Sequence, residues 1–500
     1  MDTNIIMNTN NIFKMASTTY SRYINTLNNA LSTKCNKILI IDEFTKTVIS
    51  SLFKFEDLLN LRVVNLMEIN KLSNKNIESE FLTFEIIYFV LDNSNNAQLI
   101  FNHIKARYFN KNVILLMVTH LKYLSDHIKY IADADEYFDV KKTCSIICNF
   151  YPIFKNISLV KSLDQMSAFL LSHMKGVPSL LCCKDNLNTN MDMLKVLDGK
   201  HANNILYLSL DRSFDYITPL MTPWYYRSMI DYYFTINNNS ITINNDIISL
   251  DDKFFNANQF MTYTDITQKI NAQLDSFSKL DNEIKNLDKT DKVAYIRAVV
   301  HKYPAYENDL NIIKKHVKII DEINWKISNM DSYKISTIEQ QIVSGDLSFN
   351  DFKDMLLRNE LNSSKLYFKK LITLAYIIYE SERTYIAEYC NKNSISIIFP
   401  NNIVSRSNIV KLSITKKIKN PLQSNIIFFE HKPTILHILE AIFDPSILNK
   451  QYFASSSYNP QTLTDIYVHI NGEITAEELR IISTFKHNSV CIYGISNVKN

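Results

Sequence analysis

Glycine is nearly missing from this chain: five in 500 residues, at positions 176, 199, 345, 472 and 494, each standing alone. Loops that cradle phosphates need closely spaced glycines, so the P-loop and dinucleotide fingerprints are excluded. Proline is also scarce, with ten in all, while Asn, Ile, Lys and Tyr abound. That is the bias of an AT-rich coding sequence, so Asn-rich loops carry little functional meaning. Seven cysteines (Cys35, Cys144, Cys148, Cys182, Cys183, Cys390 and Cys491) form no C-x-x-C pair. An odd, scattered set reads as reduced, mostly buried thiols of a cytosolic protein. Cys144 and Cys148 have the spacing of one helix face, but no second ligand pair lies nearby, and buried thiols are the better reading. His120 and His127 stand two helical turns apart, too far to share an ion. No G-x-S-x-G, H-E-x-x-H or kinase signature occurs. No cofactor is expected.

Charge imbalance is absent as well. Fifty-four basic residues face 51 acidic ones, a formal net charge of +3, which gives no electrostatic case for nucleic acid. No run approaches the ~18 apolar residues of a membrane span. The opening MDTNIIMNTNNIFK has no apolar signal core and reads as a polar, disordered leader. Any membrane role is therefore expected to be peripheral.

What is present is a globular chain, 46% hydrophobic and 21% charged, long enough for about three domains. Tyr20 to Leu31 suits a helix. Lys37 to Ile41, Val63 to Met67, Glu85 to Val90 and Val113 to Val118 read as strands with helical stretches between, which predicts a parallel α/β sheet. A second α/β region is expected from about residue 140, and the Asn-rich stretch 235–250 reads as a linker. From about 251 to 400 the pattern is helical: Val293, Ile296 and Val300 share one face, Ile313, Val317, Ile320 and Ile327 another, and Tyr303-Pro304 is expected to interrupt between them. The last hundred residues return to α/β. A helix is predicted over Thr434 to Phe443 and strands over Ile466 to Ile470 and Val490 to Tyr493, and Thr475 with Glu478 makes a capping box.

The organising stretch is ILYLSLDRSFDYITPLMTPWYYRSMIDYYF, Ile205 to Phe234. Ile205 to Leu210 is a buried strand that stops at Asp211, Arg212 and Ser213, with a second acid at Asp215. Pro219 breaks the chain. Thr222 and Pro223 are expected as N-cap and first residue of a helix with Tyr225, Met229 and Tyr233 on one face. Acids at the carboxyl end of a strand sit where doubly wound folds place ligands, so Asp211 and Asp215 can be read as a Mg²⁺ or Mn²⁺ site of a hydrolase or transferase. The preferred reading has Arg212 neutralising both acids and pinning the loop.

LDRSFDYITPLMTPWYYRSMID resembles the signature of the Sec/Munc (SM) family of SNARE chaperones, carried here by Leu210, Asp211, Arg212, Asp215, Thr218, Pro219, Leu220, Trp224 and Tyr225. KILIIDEFTKTVISSLFKFEDLL, LLSHMKGVPSLLCC, DKFFNANQF, HKYPAYENDL, KKHVKIIDEI, STIEQQIVSGD, DIYVHINGEITAEEL and VCIYGISN resemble further family segments in the right order. IADADEYF, Ile131 to Phe138, is similar to the endosomal (vacuolar protein sorting) branch. The resemblance implies a three-domain arch of two parallel-sheet α/β domains, the middle one discontinuous, and one mainly helical domain. The implied boundaries are a leader at 1–14, a syntaxin-binding domain at 15–139, a split middle domain at 140–250 and 420–500, and a helical domain at 251–419.

It also implies a non-enzymatic, monomeric protein. Its expected partners are a syntaxin-like SNARE and the assembling SNARE complex, with a vesicle SNARE added across a helical hairpin, on trans-Golgi and endosomal membranes or, alternatively, at the plasma membrane. Lys54 and Glu68 match charged positions of the family's SNARE groove, which the amino-terminal domain and the adjoining helices form. Met117, Ile128, Ile131 and Glu136 match the lining of its pocket for the syntaxin amino-terminal peptide, against the plainer reading of Met117 and Ile131 as core. Tyr303 and Pro304 match the hinge of the hairpin, roughly 295–345. A passive helical scaffold of a tethering complex is a further alternative. Finally, Asn401 to Phe429 holds Arg406, Lys411, Lys416, Lys417 and Lys419 and no acid; it reads as a solvated loop, with anionic lipid as the other option.

Overall fold

Lys37–Ile41, KILII, forms strand β1 with every residue buried, the mark of a parallel strand covered on both faces. The computed structural model containing it describes residues 35–53, 55–72, 84–106, 113–118, 140–146, 150–154, 156–174, 176–197, 199–236, 239–287, 292–358, 365–400, 403–404, 409, 431–456, 458–487 and 489–497. The chain continues through α1 (Glu43–Leu52), α2 (Phe55–Asn60), β2 (Val63–Glu68), β3 (Glu85–Leu91), α3 (Ser94–Lys105), β4 (Val113–Val118) and β5 (Val140–Ile146). These strands make one parallel sheet in the order β2-β1-β3-β4-β5. β5 pairs with β4, so the first sheet runs past the boundary expected at 139/140. Cys144 lies on this strand, which removes the helix face it was to share with Cys148.

Next come β6 (Tyr151–Phe154), β7 (Ile157–Val160), α4 (Leu163–His173), β8 (Val177–Cys183), α5 (Leu187–Leu194) and β9 (His201–Asp211). The chain then leaves for α6 (Tyr226–Tyr233), β10 (Ser240–Ile243), β11 (Asp246–Ser249), α7 (Lys253–Asn258), α8 (Tyr263–Leu287), α9 (Lys292–Asn329), α10 (Ser332–Ser344), α11 (Phe349–Leu357), α12 (Lys365–Ile378), α13 (Arg383–Lys392) and α14 (Thr434–Phe443). It returns as β12 (Phe453–Ser455), β13 (Asp465–Asn471), α15 (Ala476–Thr484) and β14 (Cys491–Asn497). The second sheet has the order β12-β8-β9-β13-β14-β7-β6, with only its outermost strands antiparallel. Among the described residues, those up to Arg212, with Ile442–Ile474 and those from Ile482 on, form one compact unit holding both sheets; those within Ser213–Ala441 and Thr475–Ile481 form a second, mainly helical unit.

Strand alternation explains the first unit's packing. Ile38, Ile40, Ile86, Tyr88 and Val90 face α3 through Ile100 and Ile104. Leu39, Ile41, Ile87 and Phe89 face the other way, into a larger core with Val48, Ile49, Phe169, Tyr207 and Tyr467. Asp42 fastens the edge of this arrangement. It caps α1 in a reciprocal box with Thr45, and its Oδ2 accepts from the Leu91 N–H at 2.7 Å and the Asn96 amide at 2.8 Å. One buried carboxylate thus ties the ends of β1 and β3 to α3.

In the second unit the Asn-rich stretch is not a linker. β10 and β11 pair as a hairpin whose turn, Asn244 and Asn245, has φ of 50° and 69°. Both turn residues need positive φ, which asparagine tolerates, and Ile241, Ile243 and Ile248 are buried behind it. Nor does Tyr303-Pro304 separate two helices, because α9 runs unbroken from Lys292 to Asn329. Proline removes one backbone hydrogen bond, but apolar residues recur at helical spacing on both sides of it. The downstream face (Ile313, Ile320, Ile323, Ile327) packs with Tyr263, Ile266 and Ile270 of α8.

Thr222 is not an N-cap either. Tyr225 and Thr262 form an antiparallel bridge that keeps this segment extended, so α6 starts at Tyr226. Thr222 instead donates its N–H to Glu339 Oε2 at 2.7 Å and its hydroxyl to Oε1 at 3.1 Å. Burial pushes the Glu339 carboxyl up to about 7, against the opposing pull of the Thr222 hydrogen bonds and the Lys370 charge.

Two predictions follow from these buried acids. Asp42→Ala strips the acceptor from Thr45, Leu91 and Asn96, and a loss of about 3 kcal/mol is expected, seen as a lowered thermal midpoint. Between its ordinary value of 4.5 and about 7, Glu339 is protonated in the folded chain and ionised in the unfolded one. Its contribution to stability is therefore full below that window and falls as pH rises through it. Thermal midpoints taken across that window should show a downward slope that is shallower in Glu339→Gln.

Candidate functional site

The corner after β9 divides into two fastenings, one in each unit. In the first, Asp211 stands in register with Asn471 of β13. Arg212 lays its side chain over Gly472 and donates from Nη1 to the Glu473 carbonyl at 3.0 Å. Gly472 has φ of +147°, and a Cβ there would meet the Arg212 Cβ at 3.3 Å, so backbone conformation and close approach both require glycine. Ser496 closes the corner by donating to the Gly472 carbonyl at 2.9 Å.

In the second unit Asp215 is the hub. Its Oδ1 accepts from the N–H groups of Ile217 (3.0 Å) and Thr218 (2.9 Å); its Oδ2 accepts from the Thr218 hydroxyl (2.6 Å) and the Thr434 N–H (2.9 Å). His431 Nε2 lies 3.0 Å from the Thr218 hydroxyl. Burial would raise the Asp215 carboxyl, but the His431 charge and the hydrogen bonds from Thr218 and Thr434 outweigh it and hold it below the ordinary range. Pro219 opens the 3₁₀ turn Thr218–Leu220, which delivers Met221 to the helical core. With both oxygens taken by N–H and O–H donors, Asp215 fastens residues 431–434 to the signature loop, and this is not a carboxylate poised for an ion. Among the described residues no group of three His, Cys, Asp or Glu side chains is arranged for a metal.

Beside this hub, within the second unit, a cleft of about 330 Å³ opens between the Thr218–Tyr225 loop, residues 431–436 and Glu477, Arg480 and Ile481 of α15. Arg480 stacks over the Tyr225 ring, 3.7 Å from its centroid, and donates from Nε to Glu477 Oε2 at 2.9 Å. The capping box expected at Thr475 and Glu478 holds the start of α15, at 2.9 and 3.2 Å.

The other site residues read from the sequence lie elsewhere. Glu68 ends β2, the edge strand of the first sheet, and is gripped by Lys46 at 2.5 Å and Lys71 at 2.6 Å. Hydrogen bonds from those two lysines bring its carboxyl down to about 2. Beside it is a strip that the sequence reading missed: Phe55 (69% exposed), Leu59, Val64 and Leu66 are open apolar side chains on α2 and β2. Val64, Leu66 and Glu68 alternate along one side of the strand, while Phe55 and Leu59 stand one helical turn apart. The signal was present in FEDLL and VVNLME, but exposure is not readable from apolar character. Met117 sits on β4, paired with Val90 and Ser145. Tyr303 and Pro304 lie within α9. Lys54, Ile128, Ile131, Glu136 and the basic residues Arg406, Lys411, Lys416, Lys417 and Lys419 fall outside the described residues. No helix among the described residues is long and apolar enough to cross a membrane.

The arrangement therefore offers shaped surfaces on a fastened scaffold, and comparison with known proteins accords with it. Vacuolar protein sorting-associated protein 45 of Dictyostelium discoideum is 24% identical over 93% of this chain and 91% of its own length. The human protein of that name is 28% identical over 27% of this chain and 26% of its own. Among solved structures, the SM protein Vps45 in complex with the Qa SNARE Tlg2 has the same fold, with a TM-score of 0.76 at 16% identity, covering 97% of this chain and 96% of that one. The Unc18–syntaxin 1 complex of Monosiga brevicollis matches with a TM-score of 0.72 at 14% identity, covering 96% and 97%. The Sec1 family model matches residues 37–497. By that match across nearly its whole length, this chain belongs to the Sec1 family.

Proposed function

We propose that this protein is an SM-type SNARE chaperone. It binds a syntaxin-like SNARE and promotes assembly of the SNARE complex during vesicle docking and membrane fusion. The observation that carries this reading is family membership from residue 37 to 497, and a fold shared with Vps45 and Unc18, each solved with a SNARE partner, supports it. Likeness to vacuolar protein sorting-associated protein 45 favours trans-Golgi, endosomal or vacuolar traffic, with the protein held peripherally on those membranes through its partners. No bond is made or broken. The protein lowers the entropy cost of ordering free SNARE chains into the first turns of a helical bundle. The rival reading, a metal-dependent hydrolase on Asp211 and Asp215, is disfavoured by the engagement of both Asp215 oxygens.

The open strip of Phe55, Leu59, Val64 and Leu66 next to Glu68 supplies what a SNARE helix needs, an apolar stripe with a charged margin. Met117, Ile128, Ile131 and Glu136 are our candidates for the pocket of the syntaxin amino-terminal peptide, and Lys54 for a second groove contact. The hairpin offered to the vesicle SNARE is the segment at roughly 295–345, which holds most of α9 and α10. Pro304, lacking an N–H, leaves the carbonyl of Val300 without its usual helical donor, and this is the weak point at which α9 folds back or stays extended.

Purified full-length chain titrated with the cytosolic region of each syntaxin-like protein of its own organism should select one at micromolar affinity or better. Binding of none would defeat the proposal. Glu68→Lys should weaken the selected pair about tenfold, a rim charge reversed at an interface. Pro304→Ala restores the missing hydrogen bond and favours the extended helix, so the rate of SNARE assembly should rise. An unchanged rate would remove the hinge.

A further inference from the structure

α9 carries a histidine deep in its apolar face. Ile313, Ile320, Ile323 and Ile327 are buried along the helix, and His316 stands among them fully buried. Its partners come from other elements of the same unit. Nε2 lies 3.1 Å from Oδ2 of Asp252, just after β11, and Nδ1 lies 2.8 Å from the Tyr226 hydroxyl. A carboxylate accepts only, so Nε2 is the donor of that pair. Lys315, the residue before, bonds the same Oδ2 and reaches the Ser249 carbonyl at 2.8 Å. Asp252 also caps α7, its Oδ1 accepting from the Phe255 N–H at 2.8 Å. Two outer pairs flank this centre, Lys318 with Asp246 and Lys253 with Asp309, each at 2.5 Å; being exposed, they add little energy.

We propose, on the SNARE-chaperone reading above, that Asp252 is a positioning residue of the SNARE hairpin. Through Lys315 and His316 it latches the part of α9 downstream of Asp309 to the β10–β11 segment, so that bending at Pro304 moves only the arm upstream. Apolar packing alone lets a helix slide or turn at small cost, whereas a buried carboxylate holding two side-chain donors accepts one register. Burial would raise the Asp252 carboxyl, but hydrogen bonds from His316, Lys315 and the Phe255 N–H outweigh it and hold it below the ordinary carboxylate range, so the acceptor stays charged. Among the described residues the ties begin at Asp309, about a turn and a half after Pro304. The turn that lacks a backbone hydrogen bond therefore ends just short of the latch, where the helix yields most easily.

The next helix is fastened too. On one face of α10 the buried Ser332, Ser336, Glu339 and Gln340 accept from the Tyr233 hydroxyl (2.9 Å), the Trp224 indole N–H (2.8 Å), Thr222 and the His431 N–H (3.0 Å). With both stretches fixed, bending falls to the part of the hairpin upstream of the latch. The latch also sets the rotation of α9, which leaves Trp325 open on its outer side, 59% exposed.

The test substitutes Asp252→Asn in the full chain, because asparagine keeps the cap of α7 and removes the charge. Amide hydrogen exchange of the chain alone should show residues 309–323 exchanging about tenfold faster, with α10 and the β9–β13 pair unchanged. SNARE assembly is then followed in a cycle with Pro304→Ala. In the latched chain that substitution should raise the rate; in the Asp252→Asn background its effect should shrink about threefold, while affinity for the syntaxin-like partner stays the same. The proposal is overturned by unchanged exchange at 309–323, or by exchange that rises evenly across α8, α10 and α12, the mark of a general loss of stability. An equal Pro304→Ala response in both backgrounds, or a matching loss of syntaxin affinity, overturns it as well. If no SNARE binds, the proposed function fails by itself and the exchange result alone decides the latch. If Asp252→Asn fails to fold, Lys315→Met takes its place with the same readings.

Discussion

The pairing of β9 with β13 is the contact on which the sheet-bearing unit depends. Seven residues run in parallel register from Ile205 opposite Asp465 to Asp211 opposite Asn471, burying Leu206, Leu208, Leu210, Ile466, Val468 and Ile470. Without β13, β9 would present a row of unpaired backbone groups at an apolar edge. The partner arrives only after the whole helical excursion, so the loop-closure entropy is met late and by non-local contacts alone. The same pairing brings Gly472 under Arg212 and so builds the corner from which that excursion leaves.

Two buried aspartates show how this chain uses charge. Asp42 gathers donors from Thr45, Leu91 and Asn96. Asp215 gathers them from Ile217, Thr218 and Thr434. Each desolvated carboxylate is satisfied by N–H and O–H groups of loops that would otherwise be free to move, so acidity is spent on fastening. Four open apolar side chains, Phe55, Leu59, Val64 and Leu66, lie with the lysine-paired Glu68 on the edge strand and its neighbouring helix. A protein that acts by presenting surface is helped by this division, with these two carboxylates fastening loops inside and apolar area left open outside.

Much of the fold was legible in the chain. β1 and β4 begin and end where KILII and VILLMV predict, and α14 spans Thr434–Phe443 as its pattern requires. The capping box at Thr475 and Glu478 forms as written. The misreadings share a cause. Pro304 reads locally as a breaker, but a long helix with apolar spacing on both sides absorbs one lost hydrogen bond. Asn244-Asn245 lies in a stretch whose asparagine content reads as a linker, although ITINNDIIS carries the alternation and the turn residues of a hairpin. Thr222 has the chemistry of a cap, yet a bridge from Tyr225 to Thr262 held the chain extended and turned that hydroxyl to Glu339. In the candidate site, the signature residues were found as a motif, while the division of their roles between Gly472 and Thr434 was not.

By itself the sequence determined which segments become buried strands, which become helices, where a cap forms, and the family to which the signature points. These depend on neighbours a few residues away, through side-chain period and local hydrogen bonding. Only the tertiary structure decided that strands from the end of the chain complete a sheet begun far earlier. It also decided that Asp215 is fully engaged while Glu477 keeps an oxygen without a donor, and that Phe55 and Leu66 remain open while Leu39 and Ile87 do not. Those outcomes depend on which distant residues come to lie against each group, because desolvation and hydrogen-bond satisfaction are properties of the surroundings and not of the residue.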